Sequence, residues 1–388
     1  MKDKILNFLF IFFFVFLLLN VFNKQQDKEG LQEGLSVKIE KSSYTIPTSI
    51  NILLENNNSQ KIKLNTCESI HILYNGEIQE LPKDFCEDYT LQAKEKKTIS
   101  LGKIYTKFMQ TGNYTFDIQI EGKKYVSQID VSNKGAISKI FVYFFYAPIY
   151  NLMVFLTKIF GYSLGWAIIG ITIIIRFILI YPQHQMLISQ KRMQAIQPKI
   201  KEIQEKYKGD SQTLGVELMN LYKKENVNPM GSCGLLLIQM PILLVLYNVV
   251  MGVENATNYY YLYSFLKPFT IESIGTNFFG MDLLGKGGTV GIFLALFVGI
   301  VQFIQVKLSL SFNKKKDNPL VLEKKKGGDA YTSMMPDAES MNKVMLYVMP
   351  VMVGFFTYSL FAGIGIYWGI GTIFGIFQQI IVNKVIKK

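Results

Sequence analysis

The sequence predicts a polytopic α-helical membrane protein that carries one small exported β-rich domain. Three observations support this. The chain has 388 residues, is 49% hydrophobic and has a positive mean hydropathy. Apolar stretches long enough to cross about 30 Å of hydrocarbon recur at 5–22, 163–181, 235–253, 290–308, 343–360 and 365–382. Charge is also unevenly placed. Residues 24–136 hold 15 Lys and 15 Asp/Glu, so the whole net charge of +12 lies in the rest of the chain.

The elements follow in chain order. The stretch 5–22 is longer than a signal-peptide core, and no small-x-small cleavage site follows it, so 1–23 reads as an uncleaved transmembrane anchor. Residues 24–136 alternate apolar and polar side chains over 36–40, 48–54, 61–64, 70–74, 114–120 and 125–131. Asn75-Gly76 and Glu121-Gly122 punctuate these runs, which predicts a small extracytoplasmic β-sandwich. Cys67 and Cys86 both fall in this segment, where an oxidising compartment permits a disulfide. His71 reads as structural, because no second histidine or acidic cluster completes a metal site. The aromatic stretch 137–160, with Pro148, predicts a helix lying in the outer interface.

Residues 183–232 predict a cytoplasmic helical hairpin that turns at Gly209-Asp210. Leu214, Leu218 and Leu221 share one face of its second arm. The hairpin is short and charged, with no evident core of its own. It either rests on the membrane surface or docks a client or partner through those leucines and Lys191, Arg192, Lys199 and Lys201. Residues 309–342 form a Lys-rich polar loop. The last two spans meet across a few residues around Phe361, and Gly365, Gly369, Gly371 and Gly375 permit close helix packing.

Orientation follows from the basic residues. Segments 183–232 and 307–343 hold eight Lys/Arg each, whereas 251–287 holds only Lys267 and Lys286. The positive-inside rule then puts both termini and the two basic segments in the cytoplasm, and 24–136 and 251–287 outside. The basic patches also suit anionic lipids or ribosomal RNA.

Arg176 sits at depth in the span 163–181, and no span contains Asp or Glu. Such a charge costs roughly 2.5–3.5 kcal/mol on insertion scales, so it needs compensation. Two readings stand. The guanidinium faces a hydrated cavity, or it snorkels about 9 Å toward Pro182 and the cytoplasmic interface. Thr172, Gln239, Gln302, Gln305, Tyr367, Trp368, Gln378 and Gln379 are further polar positions in the spans. Each alone suits interhelical bonding; together with Arg176 they outline one wet groove. The run 280–287 begins like a P-loop but lacks the Ser/Thr that holds magnesium, and is rejected. Two histidines in different compartments argue against histidine catalysis, and no cofactor or metal is expected. The absence of carboxylates in the spans weakens a proton-coupled transporter.

Two blocks resemble the YidC family of membrane protein insertases: Asn228, Pro229, Gly231 and Cys233, followed by Leu237, Ile238, Gln239, Met240, Pro241 and Ile242. The run 194–200 after the arginine-bearing span, and Ile366, Tyr367, Trp368 and Gly369 with Gln378 and Gln379, extend the likeness over 137–388. The resemblance implies a five-helix insertase core around a polar groove, with Arg176, Thr172, Gln305 and Trp368 at groove positions. It also implies a non-enzymatic, ATP-independent insertase of the bacterial inner membrane. Its expected clients are nascent inner-membrane proteins. The Sec translocon, the ribosome and anionic lipids are expected partners, and the chain is expected to act as a monomer. A polytopic channel or small-solute transporter is the rival, and a purely structural assembly factor is a third possibility. The exported segment is far smaller than that of many relatives, so contacts made by a large exported domain do not carry over.

Overall fold

A computed structural model describes residues 34–207, 209–227, 234–267, 274–286, 288–310 and 343–386. The expected anchor 1–23, most of the Lys-rich loop 309–342 and the block Asn228 to Cys233 lie outside the described residues. The described residues divide into two compact units: 34–151 with 251–267, and 152–250 with 274–386.

The first unit is rich in sheet. Its strands are β1 (Leu35–Ile39), β2 (Ser43–Thr45), β3 (Asn51–Asn56), β4 (Ile62–Asn65), β5 (Ile70–Tyr74), β6 (Glu77–Gln79), β7 (Asp88–Leu91), β8 (Lys96–Ser100), β9 (Gly112–Ile120) and β10 (Lys123–Ser132). They form a three-stranded sheet β1-β3-β8, a five-stranded sheet β2-β10-β9-β5-β6 and the pair β4-β7. Period-2 alternation sets the core. Tyr114, Phe116, Ile118 and Ile120 of β9 are buried while the residues between them are not, and they meet Ile52 and Leu54 of β3 in one cluster. Both two-residue hairpins use left-handed turns: Asn75 and Gly76 have φ of 50° and 86°, and Glu121 and Gly122 have 49° and 75°. Cys67 and Cys86 are joined by a disulfide. It ties the helical turn Thr66–Ser69 to the residue that follows the short 3-10 turn Lys83–Phe85.

The sheet region leads into helix α1, Ala136–Ile159, one of three described helices long and apolar enough to cross a membrane. The sequence reading expects a helix lying in the outer interface here. Pro148 is carried in it without a break, following a wide π turn over Val142–Tyr146. The wider turn removes the need for the amide bond that proline lacks. Asn151 secures the loop of this unit: its Nδ2 donates to the Tyr261 carbonyl at 2.8 Å, and its Oδ1 accepts from the Tyr263 amide at 2.7 Å.

The second unit is helical. Helices α2 (Leu164–Ile178) and α3 (Ile180–Ala195) are bent by 65° at Leu179. Pro182 lies in the first turn of α3, where its missing amide has no partner to lose. Helices α4 (Gln197–Lys206) and α5 (Ser211–Lys224) form the expected hairpin, and Asp210 caps α5 by accepting from the Thr213 amide at 3.1 Å. Then come α6 (Gly234–Met251), α7 (Gly288–Leu310), α8 (Val344–Ser359) and α9 (Ala362–Ile386). By length and composition α7 and α9 suffice to span, as does the α2–α3 pair taken together, whereas Pro241–Met251 and α8 are shorter apolar helices. At one end of the unit a small hairpin over Asn277–Asp282 seats Phe278 against Gly165 and edge-on to Trp166. The carbonyls of Leu283 and Gly285 accept from the amides of Gly363 and Ala362. This hairpin occupies the run that began like a P-loop.

Candidate functional site: a polar seam along the last helix

Arg176 lies in the last turn of α2 and is half-buried. Its guanidinium packs against Gly371 of α9: a Cβ built at Gly371 would stand 3.0 Å from Nε and 3.1 Å from Cζ. One turn earlier on α9, buried Tyr367 is the electrostatic neighbour of Arg176, and its hydroxyl accepts from Gln239 Nε2 of α6. One turn later, Gly375 carries the amide end of Gln305 from α7, with Cδ 3.4 Å from the Cβ position. The Thr372 hydroxyl donates to the Trp368 carbonyl at 2.8 Å and reaches Gln302 Oε1 at 3.3 Å. Gln378 Nε2 donates to the Ile180 carbonyl at 3.0 Å, beside the α2–α3 bend. Polar groups of α2, α6 and α7 therefore converge on one side of α9. Among the described residues no carboxylate pairs with Arg176.

Several expected site residues take other roles. Thr172 is fully buried and its hydroxyl donates to the Ile168 carbonyl of its own helix at 2.6 Å. The hairpin has a core, contrary to expectation. Leu218 and Leu221 are buried against Ile196, Ile200 and Val227, and Leu214 packs on the same cluster. The reason is their spacing: the shared face that suggested docking is also the face that buries against α4. Exposed Val216 and Met219 are the apolar positions α5 leaves open. Lys191 is buried too, with Nζ donating to the Ser309 carbonyl at the end of α7, at 2.6 Å. Lys199 pairs with Glu225 at 2.6 Å and holds that carboxyl below its usual range. Arg192 and Lys201 remain exposed. Sequence reasoning missed Gly371, Gly375 and Thr372 as parts of the seam. The available signal was spacing: Gly371 and Thr372 lie four residues after Tyr367 and Trp368, and Gly375 four after Gly371.

The sheet-rich unit contains a separate concavity of about 970 Å³, lined by hydroxyls that include Ser43, Thr45, Ser49, Ser100 and Thr257. It holds none of the residues singled out above.

A helical unit with a half-buried cation and converging amides suits either a protein-handling or a solute-handling membrane core. The model of the family described as "60Kd inner membrane protein" matches residues 155–388. The membrane protein insertase YidC of Oceanobacillus iheyensis is 29% identical over 260 residues, which is 66% of this chain and 87% of the relative. YidC 1 of Halalkalibacterium halodurans is 30% identical over 254 residues, 64% of this chain and 80% of the relative. YidC of Wolinella succinogenes is 30% identical over 276 residues, 70% of this chain but only 42% of the relative. The chain belongs to this family of YidC membrane protein insertases: a multi-pass inner-membrane protein with a small sheet-rich domain ahead of its helical core.

Proposed function

We propose that the helical unit inserts client proteins through a polar groove lined by Arg176, Gln239, Gln302, Gln305, Tyr367 and Trp368, without ATP. The observation that carries this reading is Arg176 itself. Its guanidinium is half-buried on Gly371 beside Tyr367, with no carboxylate partner among the described residues. An unpaired cation in a medium of low dielectric attracts acidic or carbonyl groups of a passing hydrophilic tail. The amides around it offer hydrogen bonds in place of water, which shortens the apolar path that tail must cross. Burial of the client's apolar segment in lipid then drives the step.

In this reading both termini and the α4–α5 hairpin are cytoplasmic and the sheet-rich unit is exported, with domains at 1–23, 24–136 and 137–388. Clients first meet Arg192 of α3 and Lys201, Val216 and Met219 of the hairpin, near anionic lipid, the Sec translocon or the ribosome, and the protein acts as a monomer. The test uses purified protein in sealed liposomes without nucleotide. A single-span client with a short exported tail is added, and protection of that tail from external protease is scored. Protected tails support insertion; uptake of small solutes without tail protection favours a channel or transporter instead.

A further inference from the structure

The glycines of the helical unit differ in what they face, and several, such as Gly365 and Gly369, face apolar side chains. Gly299 and Gly354 bring α7 and α8 together, since a Cβ on either would meet backbone oxygen first, Pro350 O at 3.4 Å and Ala295 O at 3.2 Å. Gly371 and Gly375 are different. What a Cβ would meet there is the polar head of a side chain from another helix, Arg176 at Gly371 and Gln305 at Gly375. Neither glycine has a left-handed backbone, so the helix itself does not require them. Glycine is among the poorest residues for a helix interior, and a glycine kept there needs a reason in its surroundings.

We propose that Gly371 is a positioning residue for Arg176: the side chain it lacks is the seat in which the guanidinium lies, and Gly375 seats Gln305 in the same way. The proposal rests on the groove reading above. A methyl at Gly371 would stand 3.0 Å from Nε, 3.1 Å from Cζ and closer still to Nη2. The colliding atoms are the far end of a long, flexible side chain. The cheap response is for the guanidinium to leave its seat, not for α2 and α9 to part. Gly371→Ala therefore keeps the fold and moves the charge. Lysine at position 176 keeps the charge and lacks Nη2, the atom that would come closest, so it removes the worst of the collision.

The experiment compares full-length wild type, Arg176→Ala, Arg176→Lys, Gly371→Ala and the double variant Arg176→Lys/Gly371→Ala in liposomes. Gly369→Ala, whose methyl would meet Val298 Cγ2 at 3.3 Å, is the packing control. Two clients are used, identical except for an acidic or a neutral exported tail. The expected result is a roughly two- to tenfold loss in Gly371→Ala with the acidic tail, the scale of one displaced rotamer. Little loss is expected with the neutral tail, and recovery in the double variant to the level of Arg176→Lys. Equal loss for both tails without recovery would overturn the seat and make Gly371 a packing glycine like Gly369. No loss in Gly371→Ala while Arg176→Ala fails would overturn the seat and leave the groove standing. Full insertion by Arg176→Ala would overturn the groove reading and the seat with it.

Discussion

Replacing Leu218 with alanine separates a core residue from a docking residue. Leu218 is 7% exposed and packs in a small cluster of five buried residues shared by α4 and α5. A buried Leu→Ala substitution costs about 2–5 kcal/mol. The cluster is small and partly open, which puts the effect near the lower end, at about 2–3 kcal/mol. At 1.36 kcal/mol per tenfold, amides of the α4–α5 pair should exchange roughly 30- to 150-fold faster wherever they exchange by opening of the pair. Hydrogen exchange of the full-length protein, read by peptide, measures this directly. Met219→Ala is the counterpart: Met219 is 58% exposed, so exchange should stay near wild type. Unchanged exchange in Leu218→Ala, combined with weakened cross-linking to a client, would refute the reasoning and return the leucine stripe to a docking surface.

Tyr367→Phe removes the acceptor of Gln239 Nε2 and should cost about 0.6–1.7 kcal/mol, the range for hydrogen bonds between membrane helices. Adding Gln239→Leu should cost little more, as read by thermal denaturation in detergent. Replacing Cys67 and Cys86 by serine opens a link across a sequence separation of 19 residues. The sheet-rich unit should lose about 3 kcal/mol, while helices α2, α6, α7 and α9 melt as before. The Lys199–Glu225 pair adds a pH dependence to the hairpin. Because Glu225 has a lowered carboxyl pKa in the fold, its stabilisation is complete above the ordinary glutamate range and is lost as pH falls through the lowered value. Hydrogen exchange of α4 and α5 should rise modestly in acid, and Lys199→Met should abolish that rise.

The legible parts of the fold were those where one physical rule dominates. Alternation over 114–120 and the Asn75-Gly76 and Glu121-Gly122 turns marked β5, β9 and β10 because burial of one face and a left-handed turn both leave a trace in the sequence. Strands β2, β6, β7 and β8 were not legible. Each is three to five residues long and buries at most one side chain, Ile99 in β8 for example, so no period can be read. In the candidate spans of the helical unit nearly every residue is apolar. Length therefore marks the spans, but nothing marks the bend at Leu179 or the π turn before Pro148. The polar positions of the seam were visible as rare polar residues in apolar runs. Their partners were not, since glycine reads as packing whether it meets a backbone or a guanidinium. The leucines of α5 misled for a related reason: a shared apolar face indicates burial, and only the structure shows that α4 covers it.

In the proposed function a positive charge at Arg176 carries insertion. The most direct measurement is insertion of a single-span client with an acidic exported tail by wild type, Arg176→Ala and Arg176→Lys in liposomes. Loss in the alanine variant with recovery in the lysine variant is the predicted result. Equal insertion by all three would contradict the account, and would leave insertion to the hairpin and the apolar faces of the helices.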